Sequence, residues 1–370
     1  MGDYITGSLR DQIHTDFSTG SGVWCGYRSD ITGLYTSRDG TGSNYGDFSN
    51  NVIREYNKKI NDLGQPSSFF IEPIDAGFRY LGDPSSAQFT GATAIFSVRS
   101  VGFGGPMMRI RRNSDNTEVD VRCDTTGEVT LASPLISTGN TDTSGSLGQF
   151  IGTASGYCSI WYDQIHTGAS QNNVIQTTAN AQPMLVSGGT LMTQNGKPTL
   201  YFDGANDKLS GAGPSATASQ PVSRGIVATF KTAGAYGASA YLIDGTPRGV
   251  IAQATDAKWR IYAGGSISDY GSSGGANIPY LAIALFSGSN DTGSGAYVSG
   301  SQLYVNGVGL GMKNVGTDGL KGYSIGGHTS SAGYNAHANI QEAFFYPSGH
   351  VLEVDREPMQ DNINSYYNIY

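Results

Sequence analysis

What most constrains the fold is the rhythm of residues 86–370. Short apolar or alternating runs follow one another, each closed by Gly, Asn, Asp or Pro. TAIFSVRSV, PMMRIRR, EVDVRC, SIWYDQ, PTLYFDG, RGIVATFK, AYLIDG, KWRIYAG, PYLAIALF, QLYVNGVGLGM and IQEAFFYP all read as strands. YVNGVG places Asn-Gly between apolar residues, the strongest hairpin signal in the chain. No helical pattern alternates with these runs, which argues against a parallel sheet with crossover helices and for an all-β sandwich. One short helix closes it. In DREPMQDNINSYYNIY, Met359, Ile363, Tyr366, Tyr367 and Tyr370 fit one helical face, with Pro358 in the first turn.

Residues 1–85 are different. FSNNVIREYNKKINDLG carries Phe48, Val52, Ile53, Tyr56, Ile60 and Leu63 at helical spacing, with Ser49 to cap the start and Gly64 to end it. Residues 15–47 are rich in Gly, Ser and Asp, with Phe17, Trp24, Tyr27, Tyr35 and Tyr45 scattered among them. Such a stretch cannot build a deep core alone, so residues 1–85 are expected to attach to a partner or to oligomerise.

Charged residues are only 14% of the chain and Gly numbers 53, without a fixed period. Aromatics at 11% argue against disorder. A net charge of −8 and no Lys/Arg-rich run speak against nucleic-acid binding. No apolar stretch is long enough to span a membrane, and the N-terminus lacks the pattern of a secretion signal. Cys25, Cys123 and Cys158 are odd in number and widely spaced, which predicts free thiols in a reducing compartment.

Few residues suggest chemistry. In RIRRNSDNTEVDVR, a turn at NSDN brings Arg109 and Arg111 opposite Glu118, Asp120 and Arg122, a cross-strand charge ladder or else an anion pocket. Asp163 follows Trp161 and Tyr162, as a carboxylate beside sugar-stacking rings would, or as a strand-end acceptor of backbone N–H groups. Asp203 and Asp207 in YFDGANDKL fit Asx turns, and two carboxylates are thin for calcium. His14, His166, His328, His337 and His350 form no metal-ligand spacing, and no nucleophile elbow or phosphate loop occurs.

AIFSVRSVGFGGPMMRIRRNSDNTEVDV, IWYDQ, ANAQPMLV, NGKPTLYFDGANDKL and the ending IQEAFFYP…NINSYYNIY, in that order, resemble the concanavalin-like (laminin-G-like) sandwich of many bacteriophage virion proteins. The same segments are similar to the catalytic domain of the B-type α-L-arabinofuranosidases, over residues 86–370. That enzyme family has an Asp after an Ile-Gly-Gly turn and a Glu on a mid-domain strand. The matching positions here are His328 in SIGGH and the carboxylate-free AKWRIYAGG, and the family's adjacent half-cystine pair is missing. The resemblance thus implies a concanavalin-like jelly roll without the reaction: a phage fibre, tail or capsid-decoration protein, not an enzyme, with no cofactor and no metal. It implies a homotrimer in a virion assembled in the host cytoplasm, touching other virion proteins and a host surface glycan. Trp161, Tyr162, Asp163 and His328 are the candidate ligand-binding residues. The alternatives are a glycoside hydrolase using carboxylates such as Asp163 with Glu342, and a bacterial carbohydrate-binding module.

Overall fold

The computed structural model describes residues 23–28, 33–38, 92–99, 105–136, 145–166, 168–232, 239–288, 300–331, 333–347 and 353–370. The chain divides into two compact units, Met1–Thr90 and Gly91–Tyr370. In the first, Val23–Arg28 pairs antiparallel with Gly33–Arg38, within a stretch whose composition predicts no strand. The helix predicted over residues 49–63 lies outside the described residues.

The second unit is mostly β, and its strand pairings are antiparallel. Its centre is a pair of long strands, Val222–Phe230 and His337–Tyr346. Nearly every residue of both is buried, on both faces, which is why they read as apolar runs instead of clean alternation. The first pairs onward with Pro279–Phe286, then Ser301–Val305 and Val308–Lys313. The second pairs with Ala94–Ser97 and with Leu200–Asp203. A second run joins Glu118–Val121, Met108–Arg112 and Gly156–Trp161. Pairing through Met184–Ser187 links it to Leu200–Asp203, so the sheet is nearly closed.

Local chemistry sets the turns. Asn306 and Gly307 both have positive φ (50° and 79°), the type I′ pattern that Asn-Gly accommodates at a two-residue hairpin. The predicted charge ladder forms: Arg109 faces Asp120 and donates to both its oxygens, at 2.8 and 3.0 Å. A short helix, Leu147–Ile151, escapes the pattern reading because it is only five residues long; Ser146 and Gln149 close it with a capping box.

The terminal helix runs Glu353–Tyr367, so Pro358 lies beyond the first turn, not within it. A fifteen-residue helix can lose the one bond that proline cannot donate. Met359, Ile363, Tyr366 and Tyr367 are buried as expected, but Tyr370 follows the helix and is 52% exposed. The helix is clasped from below by Glu342. Its Oε2 accepts from Arg99 Nε at 3.0 Å, Ser97 Oγ at 2.7 Å and Tyr367 Oη at 2.9 Å, while Arg99 Nη2 donates to Asn362 at 2.9 Å. Glu342 and Arg99 are both wholly buried.

Candidate functional site

The strand Leu200–Asp203 ends at the wall of a cavity of about 400 Å³, which Arg111, Tyr157, Met184, Tyr201, Asp203 and Asp207 help to line. The turn beyond it is built by its own side chains. Asp203 Oδ1 accepts the N–H groups of Ala205 (2.8 Å), Asn206 (3.2 Å) and Asp207 (3.4 Å). Asp207 Oδ2 accepts the N–H of Asp203 at 2.9 Å. Gly204 takes φ +78°, and a Cβ there would sit 2.7 Å from the Cβ of His337, so the turn needs glycine on two counts.

The two aspartates thus have the turn role that the sequence predicts. Their surroundings give them a second property. Asp203 stands at the rim, whereas Asp207 is only 5% exposed. Among the described residues no cation pairs with Asp207. Burial pushes its carboxyl up to about 7, the backbone bond from Asp203 opposes that, and the Asp203 charge adds to it. Asp207 therefore holds its proton to far higher pH than an exposed aspartate does.

The other walls are polar and aromatic. Burial, then Asp203 and Asp207, raise the Tyr201 phenol, whose Oη lies 2.9 Å from His337 Nε2. Burial and Lys231 lower His337, whose Nδ1 meets Thr232 Oγ1 at 2.9 Å. The Arg111 guanidinium lies 5.1 Å over the Tyr157 ring. Its donors go to neutral oxygens: Gln182 Oε1 (2.7 Å), Asn116 Oδ1 (2.9 Å) and Ala179 O (2.9 Å). The charge-ladder reading fits Arg109.

The ligand-binding residues expected from the sequence lie elsewhere and do not converge. Trp161 is wholly buried, with its Nε1 donating to Ser97 O at 3.2 Å. Tyr162 is 7% exposed and donates to Asp120 Oδ1 at 2.9 Å. Asp163 is wholly buried; it accepts the N–H groups of Ile165 (3.0 Å) and Asn172 (3.1 Å) and meets His166 Nδ1 at 2.7 Å. These three hold a strand end together and offer no ring face or free carboxylate to a sugar. Glu342, the carboxylate suggested as partner for Asp163, is tied up in the helix clasp.

His328 lies apart from them, between the rings of Tyr241 (centroids 5.5 Å, stacked) and Tyr334 (5.3 Å). Its Nδ1 accepts from the N–H groups of Ser330 (3.0 Å) and Ser331 (3.1 Å), which leaves the proton of the neutral ring on Nε2. Burial lowers its pKa. A carboxylate does reach this place, from another strand: Asp244 Oδ2 is 3.7 Å from His328 Nδ1 and accepts from Thr329 N at 3.1 Å, while Oδ1 accepts from Arg248 Nε at 3.1 Å.

No protein-family model matches the chain, and no curated protein sequence does. Among solved structures, it is similar to an arabinofuranosidase complexed with arabinofuranosyl-α-1,2-xylobiose, with 15% identity and a TM-score of 0.47 over 74% of this chain. An α-L-arabinofuranosidase soaked with a cyclic sulfate inhibitor gives 14% and 0.47 over the same share. The Trypanosoma rangeli sialidase in complex with sialic acid gives 13% and 0.39 over 56%. The chain spans 62% of the length of either arabinofuranosidase and 31% of the sialidase.

The expectation that the chain is not an enzyme is corrected: the solved structures that it is similar to are glycoside hydrolases, at 13–15% identity. None of the three is a virion protein, and nothing among the described residues bears on a virion role or a trimer.

Proposed function

We propose that the chain is a glycan-acting protein of the glycoside hydrolase class, built on a concanavalin-like β-sandwich, with its active site in the Asp203–Asp207 cavity. One observation carries this reading: two aspartates share a cavity wall, Asp207 buried with no cation paired to it among the described residues and Asp203 at the rim. Glycoside hydrolysis commonly uses such a pair, one carboxyl giving a proton to the leaving oxygen and the other acting from its charged form. Environments that push two carboxyls apart mark which does which. Asp207, closed off from water, is the proton donor. Asp203, at the rim, is the second carboxyl of the pair. Tyr157 and Tyr201 give ring faces against which a sugar packs, and Arg111 offers charge for hydroxyl groups or for developing anions.

The test is turnover by the full chain of a panel of aryl glycosides, including the α-L-arabinofuranoside, and of oligosaccharides. Asp207→Asn keeps an oxygen for the Asp203 N–H but has no acidic proton. It should lower turnover by about a hundredfold or more, the usual weight of a general acid. The rate should also fall above about pH 7, as Asp207 loses its proton. No turnover on any panel member, or wild-type rates in Asp207→Asn, would overturn the assignment.

A further inference from the structure

A second cavity, of about 480 Å³, is lined by Ser210, Thr246, Lys321, Gly322, Tyr323 and Thr329 among others. Its surroundings are rich in cations that carboxylates do not match. Beneath it lies Arg224, wholly buried. Nη1 and Nη2 of Arg224 donate to the backbone carbonyls of Gly249 (2.8 Å) and Gly319 (3.0 Å), and its Nε has no hydrogen-bond partner. Among the described residues no carboxylate forms an ion pair with it. Glycine backbone packs against its guanidinium: a Cβ on Gly245 would sit 2.6 Å from Arg224 Nη1 and 2.5 Å from the oxygen of Gly322, a wall residue.

Three further cations stand near. Lys321 is itself part of the wall. Lys208 Nζ is anchored on His328 O (2.8 Å) and Thr329 O (3.3 Å). Arg248 pairs with Asp244, whose other oxygen is taken by Thr329. Asp318 accepts the backbone N–H of Arg248 at 3.2 Å. Among these described residues, Asp244 and Asp318 stand against Arg224, Lys321, Lys208 and Arg248. A buried guanidinium bonded only to carbonyls is costly unless an anion comes near it. Burial lowers Arg224 to about 10, with Asp244, then Tyr323 and Asp318, opposing.

We propose that this cavity binds the anionic substituent, carboxylate or sulfate, of an acidic saccharide. Lys321 meets the anion directly, the hydroxyls of Ser210 and Thr246 donate to it, and the Arg224 charge favours it through the glycine wall, while the Thr329 hydroxyl stays on Asp244. The proposal rests on the glycan reading above and adds a substrate class to it.

The experiment is calorimetric titration of the full-length Asp207→Asn protein, which binds without turnover. Three oligosaccharides of one backbone serve as probes: one bearing glucuronate, one bearing sulfate and one neutral. Charge-assisted bonds to one anion should favour an acidic probe by about tenfold or more over the neutral one. Lys321→Met should remove most of that preference and leave affinity for the neutral probe unchanged. Which acidic probe binds tighter tells carboxylate from sulfate. Equal affinity for all three, or an undiminished preference in Lys321→Met, overturns the proposal. Inorganic sulfate competing as well as the sulfated saccharide also overturns it, since the cavity then takes any anion. Turnover on the panel without an acidic preference sinks this proposal alone. An acidic preference without turnover sinks the hydrolase reading alone.

Discussion

Glu342 and Asp207 are both carboxyl groups shut away from solvent, and the molecule treats them in opposite ways. Glu342 meets Arg99 at 3.0 Å and two hydroxyl donors besides, so its charge is spent on holding the terminal helix. Asp207 meets one backbone N–H and no cation among the described residues, and burial pushes its pKa up to about 7. Burial alone does not mark a reactive group. Burial without a counterion does, because the cost of removing charge from water is then met by changing protonation state. The same contrast holds with reversed sign for Arg99, which has its carboxylate, and Arg224, which has only carbonyls.

Three measurements can break or sharpen this contrast. The largest effect is expected from Glu342→Gln. Removing one partner of a buried ion pair leaves the other uncompensated and costs about 3–5 kcal/mol. Urea unfolding reads it directly. A loss below about 1 kcal/mol, the usual worth of an exposed pair, would mean that the clasp is not closed in solution.

Asp207→Asn should behave differently, and its effect should depend on pH. Below about pH 4, the usual range of an unfolded aspartate, folded and unfolded chains both carry the proton. Between about pH 4 and 7 the folded protein keeps a proton that the unfolded chain has given up, so stability falls as pH rises through that window. The asparagine variant lacks this penalty. Melting curves at pH 4 and pH 8 should show it gaining on the parent protein, by about 2–4 °C for each kcal/mol recovered. A stability difference that is flat with pH would show that Asp207 is ionised like any surface aspartate.

The smallest effect, none, is expected from EDTA. A calcium ion on Asp203 and Asp207 would give Asp207 the counterion it otherwise lacks, and would add about 2.7 kcal/mol at a hundredfold excess over its Kd. A drop in melting temperature on chelation would therefore abolish the contrast with Glu342.

The strand-rich unit is legible in the sequence because period-two runs and Asn-Gly depend on neighbours a few residues apart. The charge ladder of Arg109 with Asp120 is legible for the same reason. The site is not. Trp161-Tyr162-Asp163 reads as a sugar platform, but Ser97 O and Asp120 Oδ1 accept from the two aromatics and the Asn172 N–H donates to the carboxylate. Asp163 and Asp207 each look like an aspartate at a strand end. One has backbone donors and His166 around it, and the other has a sealed wall. That difference is set by distant residues closing over one and not the other. His328 shows the same limit: its position holds no carboxylate, yet Asp244 arrives beside it from a separate strand.

The clasp also bears on how this chain is made. Arg99 leaves the ribosome well ahead of Glu342, 243 residues further along. At about 5–20 residues per second, that gap lasts about 12–50 s. Throughout it the guanidinium destined for the interior has no counterion, so a nascent chain must leave Arg99 in water. Ala94–Ser97 cannot settle either, because its partner in the sheet is the strand that carries Glu342. Ala94–Ser97 must thus wait for the strand that carries Glu342.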